Sequence, residues 1–295
     1  MTLNGQIKRL LQFSVAALVW ATVTVSTQAQ TALWSVEKNG RTLYLGGTMH
    51  LLSPADFPLP PEYNLAYSKA EKVYFEADVR QMETPATQLM VMNAMTYQDG
   101  RTLQGVLKPD TYAALEKYLR TRGMPIAALN QFTAGGMSLT VSMLEMQALG
   151  LTESGVDEHF LTKAVQEGKA VGFLETLESQ MGFIAKLGEG VEDELIVYTL
   201  ADVKRMPMLV GEMVSQWRSG DLAGLEQGLI DEMRESFPDA YESLLLKRNR
   251  NWLPQIESMM GTAEVELVLV GAAHLAGDEG LIEQLALKGY QVKQL

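Results

Sequence analysis

The chain contains no cysteine. Disulfides, thiolate metal sites and a cysteine nucleophile are therefore excluded. Histidine is nearly as scarce, with three in 295 residues, at positions 50, 159 and 274. Chemistry that needs imidazole must draw on these. Basic residues are outnumbered, 24 Lys and Arg against 36 Asp and Glu, for a formal charge of −12 at pH 7. That balance argues against nucleic acid or an anionic membrane surface as a partner, since both bind by charge neutralisation. Common site motifs are also missing. There is no Gly-x-Ser-x-Gly, no His-Glu-x-x-His and no P-loop, and Gly188-Glu189-Gly190 lacks the third glycine of a dinucleotide fingerprint.

Long apolar runs are confined to the amino terminus. Lys8 and Arg9 precede a largely apolar stretch from Leu10 to Val25, and Thr27-Gln28-Ala29 follows as a small-x-small cleavage site. This is the pattern of a secretory signal. The expectation is a signal peptide over residues 1–29 and a single domain over 30–295, periplasmic or secreted, with no stable membrane insertion after cleavage. Losing Lys8 and Arg9 would take the charge from −12 to −14. With 47% apolar and 20% charged residues, the remainder has an ordinary globular composition and enough length for a substantial core.

What stands out is a repeated setting for histidine. Leu267-Val268-Leu269-Val270 leads into Gly271-Ala272-Ala273-His274-Leu275, and Leu43-Tyr44-Leu45-Gly46 leads into Gly47-Thr48-Met49-His50-Leu51. Each is an apolar strand followed by Gly-x-x-His-Leu. Short β-branched runs bounded by glycine suit strands buried on both faces of a parallel sheet. Glycine lets the chain bend at the strand end, and ligands of open α/β sheets bind beyond the carboxyl ends of strands. If the two strands are adjacent or pseudo-symmetric, His50 and His274 meet. Two further strands end in a carboxylate: Lys72 to Phe75 runs into Glu76, with Asp78 two residues on, and Lys169 to Leu174 runs into Glu175. Glu76 is expected next to the His50 strand.

The rest of the chain supports this frame. Asn39-Gly40 between two strand-like runs marks a hairpin. Residues 84–166 carry helical periodicity, including a stripe of Leu89, Val91, Met92 and Met95. Gly155-Val156-Asp157 opens another helix, with Asp157 placed to cap it. His159 lacks the strand-glycine setting and reads as structural. Lys247 to Asn251 is the densest basic patch of an acidic chain, so Arg248 and Asn249 are candidates for clamping an anion or a carbonyl. The fold class expected is α/β, a central mostly parallel or mixed sheet built from both chain ends, with a large helical insertion.

These features together resemble the TraB/GumN family, which includes the Tiki proteases. The residues carrying the likeness are Trp34, Gly47-Thr48-Met49-His50, Glu76, Gly155-Val156-Asp157, Leu174-Glu175 with Gln180, Arg248-Asn249-x-x-Trp252, and Gly271-Ala272-Ala273-His274-Leu275-x-Gly277. Their order covers nearly all of the chain after the signal. The resemblance implies a fold shared with erythromycin esterase-like and ChaN-like proteins. It also implies the metal-dependent peptidase activity of Tiki members and points to manganese or cobalt as the ion, with zinc or iron as further options. The expected site is then a divalent ion held by His50, Glu76 and His274 with open positions for water and substrate. Glu175 would be a further ligand or the general base, and Arg248 and Asn249 would receive an oxyanion or a substrate carboxylate. The partner is a peptide or small-molecule substrate. Alternatives on the same scaffold are a haem-binding or other ligand-binding protein, as the ChaN-like likeness implies, and a non-catalytic interaction module.

Overall fold

The computed structural model describes residues 30–152 and 155–295, so the signal-peptide assignment lies outside the described residues. Six strands form one mixed sheet. β1 (Leu33–Lys38) and β2 (Arg41–Thr48) are the expected hairpin. Its turn residues Asn39 and Gly40 have φ of 54° and 74°, the left-handed pair that a type I′ turn requires. β3 (Lys72–Phe75), β4 (Ala170–Phe173), β5 (Glu266–Gly271) and β6 (Gln291–Gln294) complete the sheet in the order β4-β3-β5-β2-β1-β6. Strands β4, β3, β5 and β2 are parallel, and β1 runs antiparallel to both β2 and β6. All of β5 is buried, as its unbroken apolar sequence requires of a strand covered on both faces.

β2 and β5 are direct neighbours, with Thr48 paired to Gly271. Both Gly-x-x-His segments therefore leave the sheet side by side at one edge. Glu76 follows β3 on the far side of β5, not beside the His50 strand, because β5 is inserted between them. The crossover from β2 through the helix Pro61–Lys69 carries the chain past one strand position, which β5 later fills. The end of β2 is pinned from below. Trp217 Nε1 donates to the Gly47 carbonyl at 2.8 Å, and the buried Tyr63 hydroxyl donates to the same oxygen.

The helical insertion falls into two stretches, 85–167 and 177–259, with β4 between them. A second small core of Leu103, Leu115, Leu119, Met137, Val141 and Ile196 holds part of it together. Only part of the stripe expected on the helix Pro85–Met95 is buried: Val91 packs inward, but Leu89 and Met92 do not. Leu89 and Met92 are 62% and 51% exposed, and Val91 packs on Leu177 and Met181 together with Met90 and Ala94, which the stripe did not include. That helix is apolar on several sides, so periodicity alone could not choose among its faces. Among the described residues no helix is long and apolar enough to cross a membrane.

Candidate active site

His50 is carried beyond the end of β2 with its side chain 62% exposed. Its Nδ1 lies 2.7 Å from Asp157 Oδ2, so the proton on Nδ1 is donated to the carboxylate and Nε2 faces the cavity. The Asp157 charge holds the imidazolium well above its ordinary range, at about 9. Asp157 does not cap its helix, Val156–Glu167. The N-cap position is Gly155 and no side chain caps it. A Cβ on Gly155 would collide with the backbone carbonyls of Met49 and His50, so only glycine lets this helix start against the His50 loop. The amide of Val156 donates to the Met49 carbonyl at 3.0 Å and fixes that approach.

Glu76 is buried and every oxygen is engaged. Oε1 accepts from the Gly271 amide at 2.7 Å, and Oε2 accepts from Gln180 Nε2 at 3.0 Å and from Arg248 Nη2. Burial pushes its carboxyl upward, but the Arg248 guanidinium, then the His274 and His50 imidazoles and the Gly271 amide, outweigh that and hold it at about 2. Arg248 is buried as well, and all its donors have acceptors. Nε reaches Glu175 at 3.1 Å, and Nη2 reaches Glu175 Oε1 at 2.7 Å as well as Glu76. Nη1 donates to the Leu244 carbonyl at 3.2 Å and to His274 Nε2 at 3.0 Å. The indole of Trp252 lies under the guanidinium, 4.6 Å away. Burial raises the Glu175 carboxyl above its usual range, against the pull of Arg248.

His274 is 3% exposed. Asn249 Nδ2 donates to the carbonyls of His274 and Glu279 at 3.1 and 3.0 Å, which turns its Oδ1 toward His274 Nδ1 at 2.7 Å. Nδ1 therefore carries the proton and Nε2 the lone pair. Burial keeps this imidazole neutral, its value lowered to about 3.

The three expected ligands converge on Gly271. A Cβ there would sit 3.3 Å from Glu76 Oε1, 3.4 Å from His50 Nε2 and 3.6 Å from His274 Cδ2. Two imidazoles and a carboxylate suit a divalent transition metal, and each imidazole gives its Nδ1–H to an oxygen, as ligating histidines do. The spacing is wider than a closed ligand set. Glu76 Oε1 is 4.0 Å from His50 Nε2 and 3.8 Å from His274 Nε2. Among the described residues no three His, Asp or Glu side chains are close enough to form a ready ion-binding group. The lone pair of His274 is meanwhile taken by Arg248. The residues thus fit an ion in kind, and His274 can join only where Arg248 Nη1 withdraws.

Of the residues singled out from sequence, His50, Glu76, Glu175, Arg248, Asn249 and His274 all lie in this one network. Arg248 and Asn249 offer no free donor to a substrate, because a buried guanidinium and amide are satisfied by the protein itself. Glu175 grips Arg248 but does not line the His50 cavity; it lines a different one, with Asp78, Thr87 and Phe173. Asp78 pairs with Arg80 outside the cluster. His159 packs on Phe57 and Phe160. The partner role of Asp157 was the one missed, and the Gly two residues before it was the available signal. In front of His50 opens a cavity of about 380 Å³ lined by Phe75, Leu161, Phe183, Ile184 and Leu244, with Asp157 and Glu158 at one side.

A sequence model described as the TraB/PrgY/gumN family matches residues 32–294. A protein of Escherichia coli K12 named as uncharacterized protein YbaP is 24% identical over 271 residues, covering 90% of this chain and 96% of its own. A Shigella flexneri protein of the same name gives the same figures. No solved structure matches.

Proposed function

The chain belongs to the TraB/PrgY/gumN family, and from that premise and the geometry of its site we propose that it is an exported, metal-dependent hydrolase of amide or ester bonds, peptide bonds included. One observation carries the reading: His50 Nε2, Glu76 Oε1 and the His274 ring face one gap over Gly271. A divalent ion there, manganese or cobalt by family resemblance, would supply Lewis acidity toward a carbonyl and a neighbouring water. His50, Glu76 and His274 would hold it. Asp157 and Asn249 fix the two imidazole tautomers, leaving each Nε2 for a ligand or a proton. Gln180 and the Gly271 amide aim the Glu76 carboxylate. Arg248 balances the buried charges of Glu76 and Glu175, and the apolar cavity wall keeps competing water from the substrate. Export is supported by Lys8-Arg9 followed by the apolar run to Val25.

The test is the metal content of the purified chain beside a His50→Ala/His274→Ala double variant, after reconstitution with manganese, cobalt or zinc. Near-stoichiometric metal in the first and none in the second is expected. A second reading rests on Arg248 Nη1 holding the His274 lone pair. Then the Asp157–His50 pair alone is the base for water once His50 gives up its proton near pH 9, and hydrolysis survives chelation with activity rising toward that pH. Metal-free protein with full activity would establish this course. Loss of activity on chelation, restored by the ion, would remove it.

A further inference from the structure

Among the described residues, Thr31 Oγ1, Thr48 Oγ1, the Tyr97 hydroxyl and Trp252 Nε1 are buried with no hydrogen-bond partner. Such an atom has lost its water and found nothing in exchange, which asks for an explanation. Of these, Thr48 alone stands at the carboxyl end of a strand, and the strand is β2, which delivers His50. Thr48 is 2% exposed. The register fixes the side on which its side chain rises. Paired residues of neighbouring strands share a face of the sheet, and alternate residues of one strand share it too. Gly46 pairs with Leu269, and a Cβ on Gly46 would meet the Leu269 side chain. Phe75 pairs with Leu269 from the other side and lines the cavity before His50. Two residues on, Thr48 pairs with Gly271 on this same face. Above Gly271 that face is the gap between Glu76 Oε1, His50 Nε2 and His274. The buried hydroxyl of Thr48 therefore flanks the gap, two residues before His50. The network around it does not use it. Arg248 bonds to Glu76 and His274, Asn249 to His274, and His50 to Asp157.

We propose that Thr48 is a fourth protein group of the ion site, its hydroxyl finding a partner in the ion or in a water beside it. This rests on the metal site of the reading above. A hydroxyl both donates and accepts, so it can hold a water from either side or offer the ion a neutral oxygen. Valine has nearly the same shape and leaves no unmet group, so without a partner the hydroxyl only destabilises the chain. With an ion in the gap the same hydroxyl contributes to binding. It contributes most to an ion that takes a large shell of oxygen ligands. Manganese is such an ion, whereas zinc is satisfied by four ligands and takes imidazole readily. Thr48 thus biases a site of two histidines and one carboxylate toward manganese.

The experiment compares the full chain with Thr48→Val and Thr48→Ser, by thermal scans in chelator and by calorimetric titration with manganese and with zinc. Thr48→Val should raise Tm in chelator by about 2–4 °C, because an unmet buried hydroxyl is gone. The same variant should bind manganese about tenfold more weakly, with zinc changed by about threefold or less. Thr48→Ser keeps the hydroxyl and loses a methyl, so its Tm falls while manganese binding stays within about threefold of the wild type. A hydroxyl that merely supports the fold would give the opposite sign: a Thr48→Val chain less stable in chelator shows a protein partner for Thr48 and overturns the proposal. Manganese bound equally well by the wild type and Thr48→Val overturns it too, and leaves the metal site standing. Equal losses for manganese and zinc mark a general disturbance of the gap and overturn it likewise. If the wild-type chain binds neither ion, the metal reading itself falls and this proposal with it.

Discussion

Arg248 Nη1 donates to His274 Nε2 across 3.0 Å, onto the lone pair that a metal ligand would use. A guanidinium and an ion therefore compete for one imidazole. Arg248 also neutralises two buried carboxylates, Glu76 and Glu175. Replacing it with methionine should have two effects. Without ion, breaking a buried pair costs about 3–5 kcal/mol, which lowers Tm by about 10 °C in a chain of this size. With ion, His274 is free and the unbalanced carboxylates favour a cation, so manganese should bind at least tenfold more tightly and restore much of the lost Tm. Thermal scans and calorimetric titration with and without manganese decide the matter. Weaker ion binding in Arg248→Met would mean that Arg248 supports the ion rather than displacing it.

The Asp157–His50 pair predicts a pH dependence of stability in chelator-treated protein. The folded value of His50, about 9, lies above its ordinary 6.5. Such a group contributes stability that is fully present below pH 6.5 and lost as pH rises through 9. His50 is 62% exposed, so the contribution is that of a screened pair, about 1 kcal/mol or less, or about 2–4 °C in Tm. The Tm difference between the wild-type chain and Asp157→Asn should be largest just below pH 6.5, shrink through neutrality and close above pH 9. A difference that does not vary with pH would show that Asp157 stabilises the fold by some other contact.

Glu175 was a candidate general base, and its position makes that role testable. Its carboxylate grips Arg248 at 2.7 Å and lines a cavity other than the one before His50. Loss of a general base costs about 100-fold or more in rate. Glu175→Gln keeps the shape and one acceptor for Arg248, so its kcat should fall less than tenfold. Glu76→Gln should fall more than 100-fold, since that carboxylate is an expected ligand. A large loss in Glu175→Gln, with Glu76→Gln mild, would reverse the two assignments.

Much of this architecture was legible in the chain because the signals are local. Glycine-bounded apolar runs gave the strands, Asn39-Gly40 gave the hairpin, and the two Gly-x-x-His segments gave the meeting of His50 with His274. What was not legible depends on pairing between distant elements. The place of β5 between β2 and β3 follows from a crossover geometry that no single stretch encodes. Asp157 sits in the first turn of a helix, where an acidic residue usually serves the helix itself, so its bond to His50 was hidden. The basic patch held two kinds of residue. On the helix Lys247–Met259 the buried face is Arg248, Asn249, Trp252, Ile256 and Met259, and helical spacing turns Lys247 and Arg250 outward. The period separates them, but it does not reveal that the inward pair would be fully satisfied by protein acceptors.

Gly155 gives the sharpest structural test of how the His50 site is assembled. A side-chain carbon there meets the Met49 and His50 carbonyls head on, and neither backbone can yield without moving the His50 loop or the helix behind it. Gly155→Ala should therefore lower stability by about 1–3 kcal/mol and part Asp157 from His50. It should also erase the pH dependence of Tm just as Asp157→Asn does, and reduce hydrolysis at least tenfold. Gly168 is the matched control. It ends the same helix with φ of 69° and nothing within 4 Å of its Cβ position. Gly168→Ala should cost about 1 kcal/mol through backbone strain alone, with the pH dependence and the activity retained. If Gly155→Ala behaves like Gly168→Ala, the glycine is needed only for stability, and the approach of Asp157 to His50 is held by the Val156 amide on the Met49 carbonyl.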